Sequence, residues 1–368
     1  MPEAAMPEAA RFRAELENNI LPFWIRHTVD REHGGFYGTI HSDLTVDKKA
    51  PRAAVINARI LWTFSVAARV LGNPQYLEMA DHAWDYIVNK FWDKQHGGVY
   101  WMLDYKGNPI SDRKQIYAQA FTVYAMAEYF RASGRTESLD RAKLLFHLIE
   151  KYSRDPVFKG YLEACRRDWG ALEDMRLSEK DLNSPKSMNT HLHVMEAYTT
   201  LLRVWRDPEL AARQNDLLEV TMDRIVDGAT GHFRLFFDKQ WNSMSDHVSF
   251  GHDIEGSWLL FEAAEVLGDP VLLACARKVA VRMAEAVVGF YNAWQLSGQQ
   301  RFLHAAERAW SYIEARIIDK EHGEWLAKLR PDGTPWKEED DADACLVGPW
   351  KCPYHNSRVC FEMMERLG

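Results

Sequence analysis

Three histidines, His193, His252 and His355, each sit close behind residues that start a helix, in three well-separated parts of the chain. They lie in Ser187-Met-Asn-Thr-His-Leu-His, Ser249-Phe-Gly-His-Asp-Ile-Glu and Pro353-Tyr-His-Asn-Ser-Arg. Each has a polar or ionisable neighbour three or four positions away: Asn189 before His193, Glu255 after His252 and Arg358 after His355. That spacing places each pair on one helix face. Imidazole is the side chain most easily tuned to move protons near neutral pH. Imidazoles converging from distant segments therefore predict proton-transfer chemistry at a carbon or oxygen acid.

His191 and His193 point about 200° apart on a helix, so only one can face a common site, and alignment with Asn189 selects His193. The competing reading makes Asn189, His193, Glu196 and Thr200 a solvated polar stripe. His252 and Glu255 share a face with Leu259, and the helix then runs apolar through Trp258, Leu260 and Phe261. A buried imidazole–carboxylate pair at a helix start costs desolvation and so calls for a function. The helix dipole there favours the neutral base. Glu255 either orients the ring or binds a substrate hydroxyl; the bland alternative is a capped, hydrogen-bonded core histidine. Trp350, five residues before His355, suits the floor of a sugar site, and Arg358 either binds an oxyanion or pairs on the surface. Arg59, Tyr117 and Gln119 interrupt apolar helices, where structural hydrogen bonds compete with a role in the site. Three histidines and a glutamate could ligate zinc. Tight spacing such as H-E-x-x-H is missing, so metal-free acid–base chemistry ranks first, with no metal and no cofactor expected.

The elements that must position these groups are helices. A chain of 368 residues can bury a large core. Its net charge of −8 with no basic run makes nucleic acid an unlikely partner. The opening Met-Pro-Glu-Ala-Ala repeat lacks the basic and apolar regions of a signal peptide, and no apolar run is expected to span a membrane. Five cysteines without C-x-x-C spacing read as reduced thiols in a cytoplasmic protein. Fourteen tryptophans and fourteen tyrosines serve either as core filling or as platforms for sugar rings.

Helical periodicity, as at Val55, Ile60, Leu61, Phe64 and Ala68, predicts helices near 8–27, 54–72, 75–91, 115–133, 136–152, 188–206, 209–227, 250–267, 270–296, 299–317 and 355–367. Between helix pairs a glycine leads a short aromatic strand: His33-Gly-Gly-Phe-Tyr, His96-Gly-Gly-Val-Tyr, Lys159-Gly-Tyr-Leu, Thr230-Gly-His-Phe and His322-Gly-Glu-Trp. The last glycines stand at 35, 98, 160, 231 and 323, giving intervals of 63, 62, 71 and 92. A period of this length predicts a closed ring of helix pairs, inner alternating with outer. Two repeats in the last interval need about 126 residues, so about 34 are wanting on this arithmetic. The sixth hairpin, expected between 231 and 323, is either deleted or not represented in the sequence.

The segments Asn57-Ala-Arg-Ile-Leu-Trp-Thr-Phe, Tyr117-Ala-Gln-Ala-Phe, Ser187-Met-Asn-Thr-His-Leu-His-Val, Ser249-Phe-Gly-His-Asp-Ile-Glu and Trp350-Lys-Cys-Pro-Tyr-His-Asn resemble the N-acylglucosamine 2-epimerase superfamily, most of all its cellobiose 2-epimerases. The resemblance runs from about residue 12 to the end. It implies an all-α (α/α)6 barrel with short β-hairpins in its loops, as one catalytic domain over residues 1–368. It implies inversion at C2 of a reducing-end glucose through a cis-enediolate. The roles it implies are His252 and His355 as the acid–base pair, His193 as a shuttle for hydroxyl protons, and Arg59 as the enediolate's countercharge. Asn189, Glu255, Tyr117 and Trp350 are implied to hold the sugar. The expected partner is a small sugar, with neither nucleic acid nor membrane, and the protein is expected to be a monomer or weak dimer. The alternatives are a monosaccharide epimerase or aldose–ketose isomerase, an inverting glycoside hydrolase with two carboxylates across the site, and an inactive sugar-binding relative. Relatives carry a Trp-Trp-Pro-Gln-Ala-Glu-Ala segment where only Ala284-Glu-Ala remains here, and its loss predicts a breached barrel.

Overall fold

The protein is described by a computed structural model, which covers residues 8–283, 287–330, 332–336 and 344–368. Six outer helices alternate with six inner ones along these residues. The outer set is α1 (Ala9–Glu15) running through a π-helical turn into α2 (Leu21–His27), then α4 (Pro74–Tyr86), α6 (Thr136–Tyr152), α8 (Pro208–Val220), α10 (Pro270–Met283) and α12 (Gln300–Tyr312). The inner set is α3 (Ala54–Leu71), α5 (Ile116–Ser133), α7 (Met188–Val204), α9 (Phe250–Leu267), α11 (Val287–Ser297) and α13 (Tyr354–Leu367). Each inner helix packs on the next, and α13 returns to α3, so the ring closes as an (α/α)6 barrel.

The turns between pairs follow from local chemistry. Gly72, Gly134 and Gly268 end α3, α5 and α9 in the left-handed conformation, as glycine does without steric cost. Asn73 and Asp207 then cap the outer helices α4 and α8, each followed by a first-turn proline. Inner helices are buried almost all round: α3 presents Ala54 through Ala67 to the interior without interruption. That burial corrects one expectation. Ala54–Leu71 is long and apolar enough to cross a membrane by length and composition, yet most of it is buried inside the barrel.

Every described hairpin starts from an aspartate. Asp30, Asp93, Asp155, Asp227 and Asp319 each accept two backbone N–H groups from residues two and three ahead, at 2.8–3.2 Å. The chain then turns back into one antiparallel bridge, such as Val29 with Phe36 or Val226 with Phe233. The turn needs glycine: at Gly160, φ is +75°, and a Cβ would lie 2.4 Å from the Trp241 ring.

A strand before each of α3, α5 and α7 pairs with the hairpin one repeat further on. β3 (Arg52–Ala53) pairs with β4 (Met102–Leu103), which also carries β5 (Pro109–Ser111); β6 (Lys114–Gln115) pairs with β7 (Ala164–Cys165); β8 (Lys186–Ser187) pairs with β9 (Phe236–Phe237). In the first hairpin β1 (Thr39–Ile40) pairs with β2 (Val46–Asp47). An Ile40–Val347 bridge closes the circle. Two residues before α3, α5 and α7 a buried cation reaches back to the preceding hairpin aspartate. Arg52 pairs with Asp30, Lys114 with Asp93 at 3.0 Å, and Lys186 with Asp155 at 2.9 Å.

The fourth repeat breaks this rule. Val248 occupies the cation's position and is exposed, and Asp227 pairs with Arg234 inside its own hairpin. Here lies the shortfall read from the sequence. The sequence is continuous through 283–287, so the sixth hairpin is deleted. The single helix expected over 270–296 is two helices, α10 and α11, because an outer helix must still hand over to an inner one. The barrel therefore keeps its sixth inner helix. No hairpin stands between α10 and α11 among the described residues. The Ala284-Glu-Ala remnant lies outside the described residues, as does the repeat at residues 1–7.

Replacing Lys114 by methionine leaves Asp93 buried with only the half-exposed Arg167 as its cationic partner. The expected loss is about 3 kcal/mol of unfolding free energy, read as a lower midpoint in urea titration at unchanged slope.

Candidate active site

Arg59, Phe121, His193 and Glu255 are each the sixth residue of their inner helix, and Tyr117, Asn189 and His355 are each the second. The repeat thus brings them to two adjacent levels at one end of the barrel. The contacts bear this out. The Arg59 guanidinium lies 4.3 Å from the centre of the Phe121 ring and donates to the Tyr117 hydroxyl at 2.9 Å. The His193 ring stands 4.6 Å from Phe121 and 5.0 Å from Tyr117. Tyr117 meets Trp350 edge-on at 6.4 Å. Trp350 also faces Trp101 at 6.2 Å.

His193 faces the axis and His191 does not. The His191 ring accepts the Tyr161 N–H at 2.8 Å and bonds the Ser187 carbonyl at 2.6 Å. Burial lowers its pKa to about 4, so it is a neutral structural residue. Asn189, His193, Glu196 and Thr200 do not form a solvated stripe, because α7 is buried on all sides: His193 and Glu196 are each 2% exposed. The partner of His193 is Glu196, at 2.8 Å from Nδ1, rather than Asn189.

Glu196 is the group that sequence reasoning missed. It also accepts the Tyr354 hydroxyl at 2.5 Å and is ion-paired with Arg358. Arg358 is neither at the surface nor free for an oxyanion. It is 4% exposed, stacked 4.2 Å above the Trp258 ring, bonded to Tyr354, and 3.5 Å from Glu255. Burial alone would raise the Glu196 carboxyl, but Arg358 and the His193 hydrogen bond outweigh it and hold it well below the usual range. The available signal was its spacing, three residues after His193, which matches Glu255 after His252.

His252 and His355 line one cavity of about 410 Å3, together with Glu255, Trp258, Val288, Ile313 and Arg358. His252 bonds Ser249 through Nδ1 at 2.7 Å, so Ser249, and not Glu255, orients the ring. Burial depresses its pKa, with Glu255 acting in the opposite sense. The His355 side chain is exposed and opens into this cavity. Burial, then the Arg59 and Arg358 charges, push its pKa well below the usual histidine value. Both imidazoles are thus held towards the neutral form. Ile313 comes from the outer layer, just beyond α12, and reaches this cavity.

A second space of about 200 Å3 shares Ser249 and His252 with the first and adds Asn189, Glu163 and Leu177. A third, of about 590 Å3, shares Arg176 and Leu177 with the second and adds Trp101, Arg113, Asp174 and Trp350. Together they make a trench across the barrel mouth, floored by aromatics and edged by charge. Arg59, Tyr117 and His193 are each only 2–3% exposed. Gln119 is structural: its side chain bonds both the N–H and the C=O of Val99 at 2.8 Å. Among the described residues, Arg59 Nε, Asn189 Oδ1, Arg358 Nε and Glu255 Oε1 are buried near the axis without a hydrogen bond, although Glu255 Oε1 is ion-paired with Arg358 at 3.5 Å. Such atoms are costly unless a ligand or water satisfies them.

A family model for N-acylglucosamine 2-epimerase (GlcNAc 2-epimerase) matches residues 35–288 and 281–344. The two matches meet where the hairpin is deleted. A cellobiose 2-epimerase of Bacteroides fragilis is 42% identical over 95% of this chain and 97% of its own length. One from Ruminococcus albus is 38% identical over 97% and 98%. The structure of cellobiose 2-epimerase from Bacillus thermoamylovorans superposes with a TM-score of 0.91 at 39% identity, covering 97% of this chain and 99% of that one.

Changing Glu196 to alanine leaves Arg358 without its main countercharge, and a loss of about 3–5 kcal/mol is expected by denaturant titration. Glu196 is depressed in the folded state, so its contribution is full above the ordinary carboxylate value of 4.5 and fades as pH falls below it. Stability of Glu196→Gln should therefore fall less steeply than wild type below that pH, measured by thermal melts across the acid range.

Proposed function

The chain belongs to the N-acylglucosamine 2-epimerase family, and on that footing we propose that it inverts C2 at the reducing end of β-1,4-linked disaccharides, converting cellobiose to glucosyl-mannose. The observation that carries this reading is that His252 and His355, from separate helices, line one cavity, each with its pKa shifted towards the neutral base. Carbon-bound protons are weakly acidic, so the reaction needs a neutral base beside C2 and a stabilised enediolate.

The sugar ring opens to the free aldehyde. One imidazole takes the C2 proton, and the C–H electron pair moves into the C1–C2 bond while the carbonyl electrons move onto O1. The second imidazole, having taken up a proton from solvent, delivers it to the opposite face as the carbonyl reforms, and the first releases its own to solvent. One proton leaves and one arrives, so the pair ends each turnover as it began. Arg59 supplies positive charge for the enediolate oxygens from a site that excludes water. His193, braced by Glu196, moves hydroxyl protons at O1 and O2. Asn189, Glu255 and Tyr117 bind hydroxyls, and Trp350 with Trp101 floors the second glucose unit, where the trench widens to about 590 Å3. The chain works as a monomer or weak dimer. A second reading, sugar binding without turnover, rests on the lost α10–α11 hairpin, which leaves the cavity wall to Val288 and Ile313.

Incubation with cellobiose in heavy water decides between them: deuterium at C2 and a mannose-ended product support epimerisation, while bound but unlabelled cellobiose supports the second reading. His252→Asn and His355→Asn should each lower kcat by about 10²–10⁴-fold. The base must be neutral, and both imidazoles are shifted below the ordinary value of 6.5. The acid limb of the kcat profile is therefore expected to have its midpoint below that pH; a midpoint above it would contradict the assignment.

A further inference from the structure

We propose that Glu163, outside the set of groups that meet the sugar, is a positioning residue that fixes the starts of α5 and α7 and thereby sets Tyr117, Asn189 and His193 in register for the reaction.

Glu163 sits in the hairpin that follows α6 and is 4% exposed. Its main chain joins two inner helices. The carbonyl accepts the N–H of Ile116, the first residue of α5, at 2.9 Å, and its own N–H donates to the Pro185 carbonyl at 3.1 Å, on the approach to α7. Its side chain then caps α7: Oε1 accepts the Ser187 N–H at 2.7 Å and Oε2 accepts the Thr190 hydroxyl at 2.7 Å. Asn189, with its buried unpartnered oxygen, lies between those two residues.

The barrel repeat does not itself require a carboxylate here. The first N–H of each of α3, α5 and α7 is donated to the equivalent hairpin carbonyl, and those carbonyls belong to Trp101, Glu163 and Leu235. A tryptophan and a leucine fill that position in the flanking repeats. Among these three an acid stands only at Glu163, whose carbonyl meets α5 while its side chain caps α7, the helix carrying Asn189 and His193, and it borders the same space as Asn189 and His252. Burial pushes its carboxyl up to about 7 against the pull of the Thr190 and Ser187 hydrogen bonds. A carboxyl buried at such a cost, with both oxygens bonded to one helix start, points to a task beyond packing. Two satisfied acceptor bonds on one turn fix the rotation of α7 about its axis, and a shift of about 1 Å at a reacting group can cost about 100-fold in rate.

This inference rests on the epimerase reading, so its test has one arm that needs no turnover. Glu163→Gln keeps an acceptor for Ser187 and a donor for Thr190, and is expected to retain kcat within about threefold. Glu163→Ala frees the turn and is expected to lose about 100-fold in kcat with a smaller change in KM. Asp207→Ala, which uncaps the outer helix α8, serves as the control for destabilisation alone and should keep wild-type kcat. The imidazole NMR signals of His193 report the seating of α7 with or without substrate, and they should move in Glu163→Ala but not in Glu163→Gln or Asp207→Ala. Unmoved His193 signals in Glu163→Ala overturn the proposal, as does a kcat equal to the control's. A wild-type protein that turns over no sugar overturns the epimerase reading instead, and the NMR arm still decides the role of Glu163.

Discussion

The carboxylate of Glu196 ties together three of the helices that carry the site. It braces His193 on its own helix, accepts the hydroxyl of Tyr354 on α13, and neutralises Arg358, which in turn reaches Glu255 on α9. Each of these groups is buried, where an unpaired charge is expensive and a paired one is rigid. The same network sets the local electrostatics. Arg358, committed to Glu196 and stacked on Trp258, lines the cavity and its charge bears on His355. A neutral imidazole, a nearby fixed cation and little water are the conditions under which a carbon-bound proton can be removed.

The helical ring delivers these groups because the repeat fixes where each inner helix begins. An aspartate-initiated turn, a glycine-dependent reversal and a strand that pairs one repeat ahead set the height of each helix start. Buried cations at Arg52, Lys114 and Lys186 lock three of these starts to the preceding hairpin. Helices that start at one level present their second and sixth residues at one level, and those positions hold Tyr117, Asn189, His355, Arg59, His193 and Glu255. Function here is a consequence of register.

The deletion between α10 and α11 shows how far such a ring tolerates loss. The inner helix survives, and the ring still closes through α9, α11 and α13. What changes is the wall. Val288 and Ile313 border the cavity of His252 and His355, and Val248 stands exposed where the earlier repeats bury a cation. Backbone hydrogen bonds inside each helix are self-contained, so losing a hairpin trims one wall without unravelling its neighbours.

Much of this was legible in the residues themselves. The glycine spacing gave the ring and located the missing hairpin, because a repeat that must stack on its neighbours keeps its length. Helix-face arithmetic chose His193 over His191, since only one of two residues 200° apart can face an axis. Local periodicity could not separate a buried polar face from a wet one: Glu196 and Thr200 looked like surface because nothing in a single helix reveals that its polar side meets another helix. Arg358 was misplaced for the same reason, and Ser249 was overlooked because the rotamer of His252 is set in three dimensions. Glu163 carries no sequence signal at all, as its importance lies in the two helix starts it bridges. Sequence thus determined which groups exist and on which faces they stand. Tertiary structure decided which of them are paired and which are dry, because burial, and with it the cost of an unpaired charge, depends on packing between segments far apart in the chain.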